Sequence, residues 1–241
     1  MIHLLISLAL ASAAFFLLFF LNIHWGIGLA VGLVVMMAAN YLLGKRIQKA
    51  VTVIMEQVSQ DLKNGKMDRA IRTLESGMKY NHYQFFIGSQ LQAQIGVIHY
   101  LKKDFNSALP FLQKAFSRHW IAQGMLAVLY MRRKDKEKMV KTFKRAVRYN
   151  SKEGLLWNLY AYCLNRMGDK AAAIQVLVNG TKKLPDDERI RNNLINLQNN
   201  KKMKMKQYGE LWLQFHLEKI PGTMGRRPPY PVSPRKRVTR R

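Results

Sequence analysis

The chain has 241 residues, one cysteine, and forty lysines and arginines against fourteen aspartates and glutamates, a formal charge of +26. That length gives room for one or two cored domains, and the charge points to anionic partners among lipid headgroups, nucleic acid and acidic protein segments. A single cysteine excludes an internal disulfide framework and fits a reducing compartment.

The charge is unevenly placed: no Lys, Arg, Asp or Glu precedes Lys45. Ile2 to Leu21 is an apolar run long enough to cross a hydrocarbon core of about 30 Å as a helix. Asn22-Ile23-His24 interrupts it, and Trp25 to Leu43 forms a second run ending against Lys45, Arg46 and Lys49. Two such spans joined by a short turn predict a transmembrane helical hairpin over residues 1–44. A cleaved signal peptide is the alternative, but Met1-Ile2-His3 supplies no basic leader and Phe19-Phe20-Leu21 no small-residue cleavage site. The basic flank after Leu43 predicts that both termini and everything after residue 44 are cytoplasmic, in a multi-pass protein of a bacterial inner membrane. Ser7, Ala11 and Ala14 on the first span, and Gly28 to Gly32 on the second, offer small surfaces for close helix packing. With no ionisable Asp, Glu, Lys or Arg inside the spans, an ion path or proton relay is not expected.

From Lys45 the pattern turns amphipathic, with Ile47, Val51, Ile54, Met55 and Val58 on one side of a helix. Gly65, Ala70, Leu74 and Gly77 follow. Gly96, Ala108, Leu112 and Ala115 stand at the spacing of Ala161, Ala173, Leu177 and Gly180, and Ala127, Tyr130, Met139, Phe143 and Ala146 keep the same frame, with Met139 in a small-residue position. The pattern is fullest at Trp157, Tyr160, Ala161, Leu164, Gly168, Ala173, Leu177, Gly180 and Pro185. Each set describes two short helices, a tight turn, and small residues where the helices touch. A single pair of this kind cannot bury its own apolar face, so the units must stack.

These spacings resemble the tetratricopeptide repeat over roughly residues 50–200, with a last helix from about Asp187 to Asn199 as its cap. On that helix Ile190, Leu194, Ile195 and Leu197 are expected to pack, and Arg191, Asn192, Asn193 and Asn196 to face solvent. The resemblance implies an all-α solenoid of antiparallel helix pairs that binds a protein or peptide in its concave groove. Carried over position by position, the groove would hold Ala93, Val97, Tyr100, Val128, Met131, Arg132, Asn158, Tyr162, Asn165 and Arg166. Asn158, Asn165 and Arg166 suit a peptide ligand best, because Asn pairs with backbone and Arg with carboxylate. The Lys and Asn pattern by which chaperone-binding members hold a terminal carboxylate is not reproduced.

Lys134, Lys138, Lys141, Arg145 and Arg148 fall on one side of the second helix of the third unit, a candidate contact for anionic lipid. Residues 201–220 predict a short amphipathic helix with Tyr208, Leu211, Trp212 and Phe215 on its apolar face, able to dock on the repeats, lie at the membrane interface or receive a partner. Residues 221–241 carry seven basic side chains, several prolines and no acid, which predicts a disordered tail. It could neutralise nucleic-acid phosphates, but it lacks the aromatic platforms of a single-strand binder.

No phosphate loop, nucleophile elbow, close carboxylate pair or His/Cys metal spacing occurs, and Cys163 sits among apolar neighbours on a packed helix. Neither catalysis nor a cofactor is expected. The sequence thus predicts a membrane-anchored scaffold or adaptor, of the kind that serves as an assembly factor. A membrane-bound nucleic-acid- or ribosome-associated protein using the basic stripe and tail is the rival.

Overall fold

The computed structural model describes residues 2–21, 24–82 and 87–218, the side chains of residues 2–4 and 82 excepted. Asn22, Ile23 and the Pro/Arg-rich tail at 221–241 lie outside the described residues. The described residues form eleven α-helices and no strand, in two compact units, Met1–Leu91 and Gln92–Arg241.

The first unit begins with α1 (Ile2–Phe20) and α2 (Trp25–Lys63). Their contacts run in opposite chain directions. Ser7, fully buried, accepts a 2.7 Å hydrogen bond from Asn40 Nδ2. A Cβ on Gly32 would lie 3.3 Å from the Ala11 carbonyl oxygen, and one on Gly28 3.3 Å from the Phe15 ring. These glycines therefore let the two backbones approach, as the small-residue surfaces predict. The outward faces are apolar and bare: among the described residues, eighteen of the twenty-two exposed large apolar side chains lie between Leu5 and Leu42.

No helix end falls at the boundary expected after residue 44. α2 passes through Gly44 without a break, because one glycine among good helix formers costs only about 1 kcal/mol and no proline or cap interrupts it. Its 39 residues span roughly 58 Å at 1.5 Å per residue. Among the described residues α2 is the one helix long and apolar enough to cross a membrane, with a mean hydropathy of 2.0 in its apolar window, only 11% of which is buried. Of the two expected spans the second meets that measure, and Leu5–Phe20 is apolar but shorter. Past Lys45 the helix changes surroundings. Val58 is buried, and α3 (Met67–Gly77) packs on this half so closely that a Cβ on Gly77 would come within 3.3 Å of Ile54 and of Leu91.

α4 (Ile87–Leu101) leads into the second unit, followed by α5 (Phe105–Gln113), α6 (Trp120–Arg132), α7 (Lys136–Tyr149), α8 (Gly154–Arg166), α9 (Lys170–Lys183) and α10 (Glu188–Gln198). α6 touches α8 and α8 touches α10, while α5, α7 and α9 each pack on the helix that follows, the stacking of a solenoid-like fold. Small residues carry the close approaches. A Cβ on Gly96 would clash with Leu112 at 2.8 Å, and one on Gly180 would meet Trp157 at 3.2 Å. Met139, in a small-residue position, is fully buried, so the third pair accommodates it.

The same turn closes the first helix of each unit. A residue with positive φ (Gly65, Lys103, Lys134, Gly168) is followed by one whose N–H bonds back to the carbonyl five residues earlier: Lys66 to Asp61, Asp104 to His99, Asp135 to Tyr130, and Asp169 to Leu164. Asp104, Asp135 and Asp169 then cap α5, α7 and α9 through their carboxylates. Asn200, φ 57°, and the Lys201 N–H bond to Asn196 repeat this turn after α10. α10 is thus placed as the first helix of a fifth unit, and among the described residues no full second helix follows it.

Two expectations for α10 are corrected. Asn193 is fully buried rather than solvent-facing, and Ile195 is 53% exposed rather than packed. Among the described residues no second helix covers Ile195, and the chain that follows in its place buries Asn193. Pro110 lies inside α5. The sequence after Lys201 also differs from the single helix expected over 201–220. It forms a 3₁₀ turn (Met205–Tyr208) and one turn of helix, α11 (Glu210–Leu213), divided by Gly209 at φ 58°.

Candidate protein-interaction site

The face made by α4, α6, α8 and α10 is where the expected groove residues meet, and residues 204–217 lie on it. Three hydrogen bonds from three successive units hold three successive carbonyls. Tyr100 Oη donates to Phe215 O at 2.7 Å, Arg132 Nη2 to His216 O at 2.6 Å, and Arg166 Nη1 to Leu217 O at 3.2 Å. At the other end the contact is a buried relay. Lys204 N–H donates to Asn193 Oδ1 at 2.7 Å, Asn193 Nδ2 to Asn158 Oδ1 at 2.7 Å, and Asn158 Nδ2 to Tyr208 Oη at 2.7 Å and to Gly154 O at 3.1 Å.

Between these ends aromatic side chains fill the face. Trp212 and Phe215 are each 1% exposed. Trp212 meets Tyr162 edge-on at 4.8 Å, and the Phe215 ring lies where a Cβ on Gly124 would be 3.0 Å away. His216 stacks on Tyr100 at 5.7 Å, Arg132 covers Phe105 at 4.6 Å, and Arg189 covers Tyr208 at 4.7 Å. Leu211, expected on the apolar face of one continuous helix, is 45% exposed, because the change of direction at Gly209 turns it outward.

Burial pushes the Tyr100 and Tyr208 phenols well above their usual range, so both remain neutral hydroxyls. It also raises Tyr162. His216 is held below its usual value by burial and then by the neighbouring charges of Lys103 and Arg132, with main-chain bonds at Leu101 and Tyr100 acting the other way. The neutral imidazole is therefore favoured in the docked segment.

Of the residues singled out in the sequence, Tyr100, Arg132, Asn158, Tyr162 and Arg166 touch the chain's own segment. Ala93 and Val128 are core, and Asn165 is exposed. Met131 lines an open cavity of about 550 Å³ beyond Leu217, together with Arg132, Lys134, Arg166, Met167 and His216. Three cations and no carboxylate line it, so it suits an anionic group. Asn193, expected to face solvent, belongs to the site instead, and its signal is its place on α10, thirty-five residues after Asn158 on α8.

The basic row divides. Lys134 lies in the turn before α7 rather than on the helix, since Asp135 is the cap. Lys138 pairs with Asp135 at 2.9 Å and lies over the Tyr130 ring, and Arg145 donates to Gln123 Oε1 at 3.0 Å. Lys141 and Arg148 are exposed. Along the turn edge Arg133 bonds Asn106 at 3.4 Å, Lys136 pairs with Asp169 at 2.8 Å, and Lys170 bonds Asn200, so this charge also ties neighbouring units together.

Among the described residues no group of three or more His, Cys, Asp or Glu is placed to hold a metal ion. Cys163 is fully buried, and burial pushes its thiol well above the usual range. His119 caps α6 through Nδ1, and burial lowers its pKa.

Residues 122–153, which are α6 from its third residue, the turn, α7 and the loop beyond, match the tetratricopeptide repeat. Repeats of this type are non-catalytic modules that generally bind proteins or peptides. The matching unit is the third, the one with Met139 in a small-residue position, rather than the fuller pattern at Trp157 to Pro185. No curated protein and no solved structure matches the chain.

Proposed function

We propose that this protein is a membrane-tethered repeat scaffold that holds another protein at the cytoplasmic face of a bacterial inner membrane, as an assembly factor would. The observation that carries the reading is the divided character of α2. Its first half carries an apolar surface that none of the described residues covers, and its second half is packed against α3 as a repeat helix. One unbroken helix thereby couples the anchor to the scaffold, and a tethered binding module raises the local concentration of whatever it holds.

In this reading α1 and Trp25 to Leu43 cross the bilayer as an antiparallel pair, about 28 Å of helix each. The glycine and serine seam replaces lipid contacts between them. Lys45, Arg46 and Lys49 hold the following sequence in the cytoplasm. Exposed Lys141 and Arg148, with the three cations around the cavity, attract acidic lipid or acidic protein.

Mild crosslinking of the intact protein in its membrane, followed by mass spectrometry with and without nuclease, tests the reading. Protein partners that persist after nuclease support it. Partners lost with nuclease and with deletion of residues 221–241 transfer the assignment to nucleic acid. A periplasm-only reporter that is active after Asn200 overturns the orientation.

A further inference from the structure

The way the repeats hold residues 204–217 specifies what kind of ligand their face accepts. Tyr100, Arg132 and Arg166 each take one carbonyl from Phe215, His216 and Leu217. Every peptide has carbonyls, so this row sets direction and register without choosing a sequence. Choice falls to the side chains between, where Trp212 and Phe215, three residues apart, are the largest that the segment buries fully. Main-chain bonds for affinity with buried side chains for selectivity is the division of labour of peptide recognition.

Resting on the scaffold reading above, we propose that this face is a binding site for a partner-protein segment presenting two aromatic residues in Trp-x-x-Phe spacing, and that residues 204–217 are its internal competitor. Three observations separate the segment from the permanent core. It follows the turn at Asn200, in the place where the earlier units continue into a second helix. It is folded as two short turns, with positive φ at Gly209 and His216. Its fit strands polar atoms: Trp212 Nε1 and His216 Nε2 are buried without a hydrogen-bond partner, whereas Asn158 and Asn193 on the repeat side are satisfied. A segment with an acceptor opposite the indole, or without the imidazole, fits the same face better.

The competitor is joined to α10 by residues 199–203, and a tether that short gives an effective concentration on the order of millimolar. An outside segment therefore binds with an apparent Kd raised by the reciprocal of the undocked fraction. Only a matching segment, itself concentrated by attachment to the same membrane, displaces it.

The test uses the full chain in lipid nanodiscs and a fluorescent peptide of residues 203–218. The double variant Trp212→Ala/Phe215→Ala, which loosens the internal segment, is expected to bind the peptide at least tenfold more tightly than the natural chain. A peptide with both aromatics changed to alanine is expected to bind neither. Hydrogen exchange of the unaltered chain is expected to show the amides of 205–217 opening at least tenfold more often than those of α6 to α9. The proposal is overturned if the double variant keeps protected α6 to α9 yet binds no peptide. It is also overturned if 205–217 opens only together with α6 to α9, which makes the segment core, or if the natural chain is dimeric through exchange of this segment. Failure here leaves the scaffold reading standing where crosslinking still captures a protein, and peptide binding without any captured partner removes the scaffold reading alone.

Discussion

Helices α1 and α6 carry the same kind of sequence and meet opposite surroundings. Both are apolar around most of their circumference, a pattern that belongs either to a membrane span or to the innermost helix of a packed array. α6 is the second kind. Every residue from Ala122 to Leu129 is buried, with α5, α7 and α8 around it and Phe215 of the C-terminal segment against Gly124. α1, beside the apolar half of α2, leaves Leu5, Leu8, Leu10, Phe16, Leu17 and Phe19 exposed. Apolar composition alone does not separate these cases. What separates them is the supply of partner helices, and with it the charge that follows: α6 ends on Arg132 and Arg133 within a turn of its last buried residue, while nothing charged precedes Lys45.

The contrast breaks most sharply under truncation of large side chains. Phe143 is fully buried and stacked on Tyr160 at 4.8 Å. Phe143→Ala is expected to destabilise the repeat unit by about 3–5 kcal/mol, and Phe16→Ala to leave urea unfolding of that unit unchanged. Equal losses would mean that α1 is packed as α6 is. A charge gives the reverse result. Val34→Lys, at a site 64% exposed, is expected to weaken membrane insertion by about 2.5–3.5 kcal/mol in an insertion assay. Ile195→Lys, also exposed, is expected to change stability by no more than about 0.5 kcal/mol.

A smaller effect probes the relay beneath the C-terminal segment. Asn193→Ala leaves buried Asn158 and the Lys204 N–H short of a partner, a loss of about 1–3 kcal/mol. It is expected to appear as faster hydrogen exchange at 204–208 before α6 and α8 respond.

Smallest is a pH effect. His216 titrates below the usual 6.5 when docked, so the released segment binds more protons than the docked one. Docking is complete above about pH 6.5 and weakens as pH falls from there toward the docked value. The protection of amides 205–217, taken as the intrinsic rate at each pH divided by the observed rate, is expected to be lower at pH 5.5 than at pH 7.5, and His216→Gln to flatten that dependence.

Much of this architecture is legible in the residues. Gly77 and Gly180 stand in equivalent places and meet Ile54 and Trp157 in equivalent ways, and the small-residue order that marks them needs no structure to be seen. The turns were harder to read. Lys103 and Lys134 occupy the left-handed position that Gly65 and Gly168 hold elsewhere, so the glycine signal is missing from two of four turns, and the visible constant is the capping Asp that follows in three of them.

The C-terminal segment was misread as one helix because Tyr208, Leu211, Trp212 and Phe215 satisfy helical spacing. Gly209 inside that run was the sign against it. Asn158, chosen for an outside peptide, is fully buried in hydrogen bonds that close at sequence separations of 35 and 50, and local periodicity carries no information at that range.

The central claim is that the apolar surface of α1 and the first half of α2 faces lipid while that of α6 faces protein. A membrane-partitioning photolabel applied to the full chain in native membranes tests it directly. The account predicts adducts confined to residues 5–42, with none between Trp120 and Arg132. Labelling of α6, or protection of the 5–42 surface in the membrane fraction, would contradict it.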